Sequence, residues 1–322
     1  MTNIIFGTTV IAAVVGLILY YDFRYRRHWT GYTYGYPLRG FDGQLFFTFD
    51  DGPARYGKVL KGDHDGQPIA DPAVRKLVRD EVPDYDFSRT STENLLDLLH
   101  RHDVKAIFFL CGQSIESCPG AAVTIMRMVS EGHYLGNHSL SHAYARKQAL
   151  PDMLDDFGRN HNLIKAVSGE EVKLFRPPHG DWEPDFTRLF LAHPPLRNYL
   201  FPIFWTNLFR EWALKTPLEL GQLDSRMNDL RGACRDGQGK ILLLHDTYLS
   251  AVLLTARILK SASAMGYAIA NPADLVSAAA RETEAFKRWP FVYYLRNLCR
   301  RIALKLGLAG HTGHHTNYRM EQ

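Results

Sequence analysis

Four short stretches of this chain place ionisable side chains at the ends of apolar runs. Leu45–Pro53 reads L-F-F-T-F-D-D-G-P, an apolar run closed by two adjacent acids and a Gly-Pro break. This is the pattern of a strand that delivers Asp50 and Asp51 to its own C-terminal tip, where the chain turns. Adjacent carboxylates repel each other, and a metal ion is the usual means of keeping both ionised. Taken alone, the stretch also fits an acidic surface turn. Gly136–His142 reads G-N-H-S-L-S-H. His138 and His142, four apart, can meet one metal from the same side. With one carboxylate they make a three-ligand site with open positions, the kind that activates water and polarises a carbonyl. The same spacing is common on ordinary helices. Phe175–Gly180 reads F-R-P-P-H-G, in which two prolines fix the backbone after Arg176. A rigid guanidinium there can orient a carboxylate through a bidentate pair; the alternative is a plain Pro-rich turn. Ile241–Asp246 reads I-L-L-L-H-D, a fully apolar strand ending in His245. A histidine at such a tip can give a proton to a leaving amine, or simply cap the strand.

The elements that must position these residues alternate along the chain. Apolar runs predict strands at Leu45–Phe49, Lys105–Leu110, Tyr134–Asn137, Leu174–Arg176, Phe201–Trp205, Ile241–His245 and Tyr267–Ala270. Helical patterns predict helices near Thr92–Arg101, Gly120–Glu131, Leu150–Ser168, Pro184–Leu191, Pro217–Arg235 and Ser250–Met265. Strand–helix alternation argues for one α/β domain on a parallel sheet, and about seven strands suggest a barrel-like closure that need not be complete. The acids, imidazoles and guanidinium then fall at the C-terminal ends of different strands, where (β/α) barrels build active sites. One stretch breaks the rhythm. Ala54–Ser91, rich in charge, Gly and Pro, separates the first strand from its helix. A loop that long after the acid-bearing tip is expected to be a lid or substrate-gripping arm, or else a mobile surface insertion.

Together, T-F-D-D-G, H-S-x-x-H, R-P-P-x-G and L-x-H, in this order within about Gly43 to Val276, resemble the signature of a known family. It is that of the polysaccharide deacetylases with a NodB-homology domain (carbohydrate esterase family 4). The resemblance implies a distorted (β/α) barrel that removes acetyl groups from sugars with a divalent metal, zinc first, with Mn, Co or Ni as alternatives. It implies that Asp51, His138 and His142 hold the metal. Asp50 would be the general base for the attacking water, and Arg176 would orient Asp50. His245 would be the general acid for the leaving amine, Leu243 would line the acyl-methyl pocket, and Pro178 and Gly180 would shape the adjoining wall. The family's fourth motif is D-x-x-D-W-like; here Trp205–Trp212 reads W-T-N-L-F-R-E-W. Glu211 stands where an aspartate is expected to tune the histidine. Its side chain is one methylene longer, so either the backbone shifts or Glu211 does not fill that role.

At 322 residues and 46% apolar composition the chain can bury a substantial core. Its net charge of +4 is local: Arg24, Arg26 and Arg27 lie near the start, and Lys287, Arg288, Arg296, Arg300, Arg301 and Lys305 near the end. Without these the body is mildly acidic, which excludes a nucleic-acid footprint and fits two segments held at an anionic lipid surface. Ile4–Tyr21 is 18 residues without a charge, about the minimum for a membrane span. Positive charge follows it instead of preceding it, and no small-residue cleavage pattern appears, so a retained anchor is expected rather than a signal peptide. The positive-inside rule then places the body on the cytoplasmic face of a bacterial inner membrane, with Trp29, Tyr32, Tyr34 and Tyr36 at headgroup level. Phe291, Leu295, Leu298, Ile302 and Leu306 form one helical stripe opposite basic residues, and no acid interrupts Phe286–Leu308. That pattern predicts an amphipathic helix lying in the membrane interface, against the alternative of a terminal helix packed on the barrel. The four cysteines fit neither a zinc motif nor a compact disulfide framework and are read as reduced.

The expected organisation is an anchor over residues 1–22, a linker over 23–42, a deacetylase barrel over 43–280 with an insertion at 54–91, and a basic tail over 281–322. The expected substrate is an N-acylated amino sugar on a membrane lipid of the undecaprenyl-phosphate type. The alternatives are an extracytoplasmic deacetylase of peptidoglycan or another polymer, and a non-catalytic glycan or lipid binder on the same scaffold.

Overall fold

The computed structural model describes residues 40–54, 71–182, 184–214 and 216–288. By its contacts the chain divides into Thr30–Thr283 and a second unit of Met1–Trp29 with Glu284–Gln322, most of which lies outside the described residues. The expected anchor, the interfacial aromatics and nearly all of the basic tail lie outside them too. Among the described residues no helix is long and apolar enough to cross a membrane.

Seven parallel strands form one sheet: β1 (Gln44–Asp50), β2 (Ile107–Leu110), β3 (Tyr134–Asn137), β4 (Leu174–Phe175), β5 (Asn207–Leu208), β6 (Lys240–His245) and β7 (Ala268–Ile269). Their order is β4-β3-β2-β1-β6-β5, with β7 also on β1. β6 pairs with β1 from Leu45 to Asp50. β7 at Gln44–Leu45 and β2 at Thr48–Asp50 therefore share the other edge of β1, one below the other. This central position explains the continuous apolar run of β1, because both faces of a parallel sheet are covered. Leu45, Phe46, Phe47 and Phe49 are all fully buried, each worth roughly 1.5–3 kcal/mol relative to exposure.

The described helices are α1 (Pro72–Glu81), α2 (Ser91–Arg101), α3 (Gly112–Ser117), α4 (Ala121–Ser130), α5 (Leu150–Ser168), α6 (Pro184–Ala192), α7 (Pro217–Leu220), α8 (Leu223–Ala233), α9 (Leu249–Ser261) and α10 (Pro272–Arg288). The start of α2 is set by a capping box: Glu93 N–H donates to Thr90 Oγ1, and Thr90 N–H donates back to Glu93 Oε2.

Three sequence expectations are corrected. The fifth strand is Asn207–Leu208, not Phe201–Trp205. Pro202 has no N–H for a ladder, and the Ile203 and Phe204 carbonyls are taken by the Arg176 guanidinium. Residues 200–206 instead cross the gap between the sheet's edges, with Ile203 N–H on Phe175 O and Thr206 N–H on Ile241 O. The barrel is closed by this irregular segment, not by a β4–β5 ladder. The described part of the insertion is not a free arm. α1, N-capped by Asp71, buries Val74 and Val78, and its Glu81 pairs with Arg257 and Lys260 near the end of α9. The expected helix over Pro217–Arg235 is broken at Gly221 and Gln222 into α7 and α8. Helix α10 spans Pro272–Arg288.

Candidate active site

The strand tips converge as the topology requires. Asp50 ends β1, His138 follows β3, Arg176 follows β4, Glu211 lies three residues beyond β5, and His245 ends β6. Parallel strands carry all five to one end of the sheet.

Arg176 is fully buried and has no freedom. Its Nη1 donates to Asp50 Oδ1 at 2.6 Å, its Nε to Ile203 O at 2.7 Å and its Nη2 to Phe204 O at 3.3 Å. The guanidinium lies 4.3 Å from the centroid of the Phe109 ring. One oxygen of buried Asp50 is thus fixed, and the other, Oδ2, lies 3.5 Å from His138 Nε2.

Asp51 takes a left-handed backbone (φ 73°), which turns its carboxylate away from Asp50 along a different path. An aspartate tolerates this region better than most residues. Its Oδ1 lies 3.4 Å from His138 Nε2 and 3.1 Å from His142 Nε2. Neither approach has hydrogen-bond geometry, so Oδ1 is a buried oxygen without a partner. Burial raises the Asp51 carboxyl most strongly, but His138, His142 and His245 outweigh it and hold the group well below the usual carboxylate range. His142 is raised in turn, with burial opposing and Asp51 prevailing.

His138 Nδ1 lies 2.7 Å from the Arg176 carbonyl. A carbonyl only accepts, so Nδ1 carries the proton and Nε2 presents its lone pair to Asp51. This is the outer-shell bond that fixes metal-ligating histidines. The ligand atoms of Asp51, His138 and His142 lie within 4.8 Å of one another. An orphaned carboxylate oxygen facing two imidazole nitrogens fits a divalent cation, and two nitrogens with one oxygen suit zinc.

On the opposite side, Glu211 is completely buried. Its Oε1 accepts from both the backbone N–H and the Nδ1 of His245, at 2.7 and 2.8 Å. Arg210, just before Glu211, has a left-handed backbone at φ 53°. Ser250 Oγ also holds the Glu211 carbonyl at 2.7 Å. Burial lowers the His245 pKa, but Glu211, Asp51 and Asp50 prevail and raise it to about 9. His245 Nε2 is left 4.0 Å from Asp51 Oδ2.

Leu243, two residues before His245 on β6, is buried and shares its strand face. Pro178 is buried, and Gly180, at φ 65°, sits so close to Trp205 that a Cβ would come within 2.8 Å of the indole.

Sequence reasoning passed over several supporting residues. His179, inside R-P-P-H-G, packs edge-on against His142 with ring centroids 4.5 Å apart and stacks on Tyr144 at 3.8 Å. Asn137, one residue before His138, accepts from Ser139 N–H and donates to Phe157 O and Tyr199 Oη. Asp181 holds the Arg146 backbone N–H at 2.8 Å and pairs with its guanidinium, which braces the segment after His142. All three stand within three residues of a motif, which was the available signal.

Residues 75–193 match the family model described as polysaccharide deacetylase. The match includes His138, His142 and Arg176; the tips of β1 and β6 lie beyond it. The chain is 26% identical over 228 residues to a peptidoglycan-N-acetylglucosamine deacetylase of Bacillus cereus, covering 69% of this chain and 66% of that protein. It is 25% identical over 185 residues to the peptidoglycan-N-acetylmuramic acid deacetylase PdaC of Bacillus subtilis, covering 58% of this chain and 36% of the relative. These matches support a polysaccharide deacetylase domain in the chain. The solved structure of PdaC superposes with a TM-score of 0.51 at 22% identity, over 77% of this chain and 98% of the other. The chitin deacetylase of Colletotrichum lindemuthianum does so with a TM-score of 0.55 at 20% identity, over 73% and 88%. At these identities the likeness is one of fold.

Proposed function

We propose that this chain is a metal-dependent hydrolase that removes an N-acyl group, acetyl or formyl, from an amino sugar. The observation that carries the reading is the meeting of three arrangements at one end of the sheet: Asp50 with Arg176, Asp51 with His138 and His142, and Glu211 with His245. Each supplies one requirement of amide hydrolysis.

In that reaction a water oxygen adds to the acyl carbon and loses a proton, and the C–N bond breaks as the nitrogen gains one. Asp50 takes the water proton through Oδ2, because Arg176 occupies Oδ1. His245 is the acid. Its raised pKa keeps it an imidazolium at neutral pH, Glu211 holds Nδ1–H, and Nε2–H remains for the departing nitrogen. Asp51, His138 and His142 would hold the cation, which when bound polarises the acyl oxygen and makes the water more acidic. The products are a free carboxylate and an amine.

Acetate or formate release from N-acylated hexosamine oligomers tests the reading. Asp50→Asn is expected to lower kcat/KM by about 10²–10⁴-fold, the range for a positioned base. Wild-type rates in that variant would overturn it.

For the substrate in the cell, the favoured reading is an amino sugar carried on a membrane lipid at the cytoplasmic face. It is supported by the uncharged Ile4–Tyr21, by the arginines after it and by the basic, acid-free Phe286–Leu308. A second reading, a cell-wall glycan deacetylase on the outer side, is favoured by relatives named for peptidoglycan. Mass spectrometry of cells lacking the protein separates the two. Accumulated N-acylated lipid-linked sugar supports the first; an unchanged lipid pool with a more acetylated wall supports the second.

A further inference from the structure

The carboxyl group of Asp246 lies beneath the loop that carries Asp51, and the proposed chemistry does not use it. Asp246 is the first residue beyond β6 and is fully buried. A Cβ built on Gly52 would fall 2.2 and 2.4 Å from its two oxygens, so the carboxyl rests directly against the Gly52 backbone. Gly52 is not among the positive-φ glycines. Glycine is required there by the closeness of Asp246, not by the turn.

A second residue completes the contact. Thr92 Oγ1 donates to Asp246 Oδ2 at 2.7 Å and accepts from the Ala54 N–H at 2.8 Å. With the Asp246 carboxyl ionised, the single hydroxyl proton fixes the direction: Ala54 N–H to Thr92 O–H to the Asp246 carboxylate. On the other side, Gly52 O accepts from Cys111 N–H at 3.2 Å. Residues 51–54 are thus held between α2, the tip of β6 and the end of β2. That hold helps keep Asp51 in its left-handed backbone, a region that costs an aspartate less than most residues but still costs it free energy.

We propose that Asp246 and Thr92 are positioning residues for Asp51: through Gly52 and Ala54 they fix the backbone that aims the Asp51 carboxylate at His138 and His142. This rests on the reading that those three side chains hold a divalent cation. The pair touches no substrate and acts only through the loop.

The test is the Zn²⁺ dissociation constant of the full chain, measured by competition with a chromophoric chelator. Thr92→Val keeps the shape of the side chain and removes both bonds. It is expected to weaken Zn²⁺ binding about 10–100-fold, the usual cost of losing an outer-shell partner. Thr92→Ser keeps the hydroxyl and is expected to restore binding to within about threefold. Asp246→Ala, which removes the acceptor oxygens, reports the same contact if Thr92→Val fails to fold, and should also weaken binding about tenfold or more. Unchanged Zn²⁺ affinity in Thr92→Val and Asp246→Ala overturns the proposal, as does a loss in Thr92→Ser equal to that in Thr92→Val. Failure of the wild type to bind Zn²⁺, Mn²⁺, Co²⁺ or Ni²⁺ would instead overturn the metal-site reading beneath it.

Discussion

At the scale of single residues, the two adjacent acids of the D-D-G-P stretch have separate environments. Asp50 is locked by a buried guanidinium, whereas Asp51 faces two imidazoles with an unpartnered oxygen. The division comes from the backbone, since φ turns positive at the second acid. Glu211 reaches His245 although it is longer than the aspartate expected there, and the elevation of His245 follows from that contact. The sign of the resulting pH dependence is definite. With a pKa raised from 6.5 to about 9, His245 stays protonated in the fold between those values while the unfolded chain does not. Its stabilising contribution is therefore complete below 6.5 and lost as pH rises through about 9. Activity that needs the imidazolium declines over the same rise. Glu211→Gln removes the charge and leaves the burial, so the alkaline limb of kcat/KM is expected to move down by at least about one unit. A cation at Asp51 would lower both limbs and keep their order. An unmoved limb would remove His245 from the acid role.

At the scale of elements, Gly52 and the segment over residues 200–206 decide the most. Gly52→Ala forces a methyl group onto the Asp246 oxygens. It is expected to cost about 1–3 kcal/mol of stability, as overpacking does, and to weaken metal binding as well. Adding Asp246→Ala should recover part of that loss, so the double variant is less destabilised than the two single changes combined. Chemical denaturation of the four proteins measures this, and strict additivity would place the clash elsewhere. Residues 200–206 read as a strand because they are apolar and aromatic. Pro202 and the demands of Arg176 take away the ladder, leaving an irregular seam that closes the barrel and anchors the guanidinium. The charged insertion was equally misleading. Its charges read as solvent-exposed loop, yet Val74 and Val78 are spaced for one helical face and dock that face under the barrel's flank.

At the scale of the whole molecule, a parallel sheet with its chemistry at one end is joined to two termini of a different composition. The membrane reading belongs to this scale. If residues 289–322 bind an anionic surface, their arginines and lysines contribute about 1 kcal/mol each near it. Deleting them should then lower activity on a vesicle-borne acyl-sugar at least about tenfold and leave activity on a soluble acyl-sugar unchanged. Equal losses on both substrates would point to packing within the protein instead. A cysteine-accessibility map of the domain in intact cells would separate the two sides of the membrane directly.

The sequence by itself determined the strand–helix alternation, the tips of β1, β3, β4 and β6 and the residue types gathered there. Apolar runs and Gly or Pro breaks are local, and a parallel sheet sends every strand's C-terminal end the same way. The family resemblance already gave each acid its partner; only the tertiary structure decided that Glu211 reaches His245 and that Thr92 and Asp246, 154 residues apart, share the loop beneath Asp51. Those outcomes depend on close contacts between distant segments, such as the 2.7 Å bond from Thr92 to Asp246. Local pattern does not encode them, because close packing sets them only after the sheet has formed.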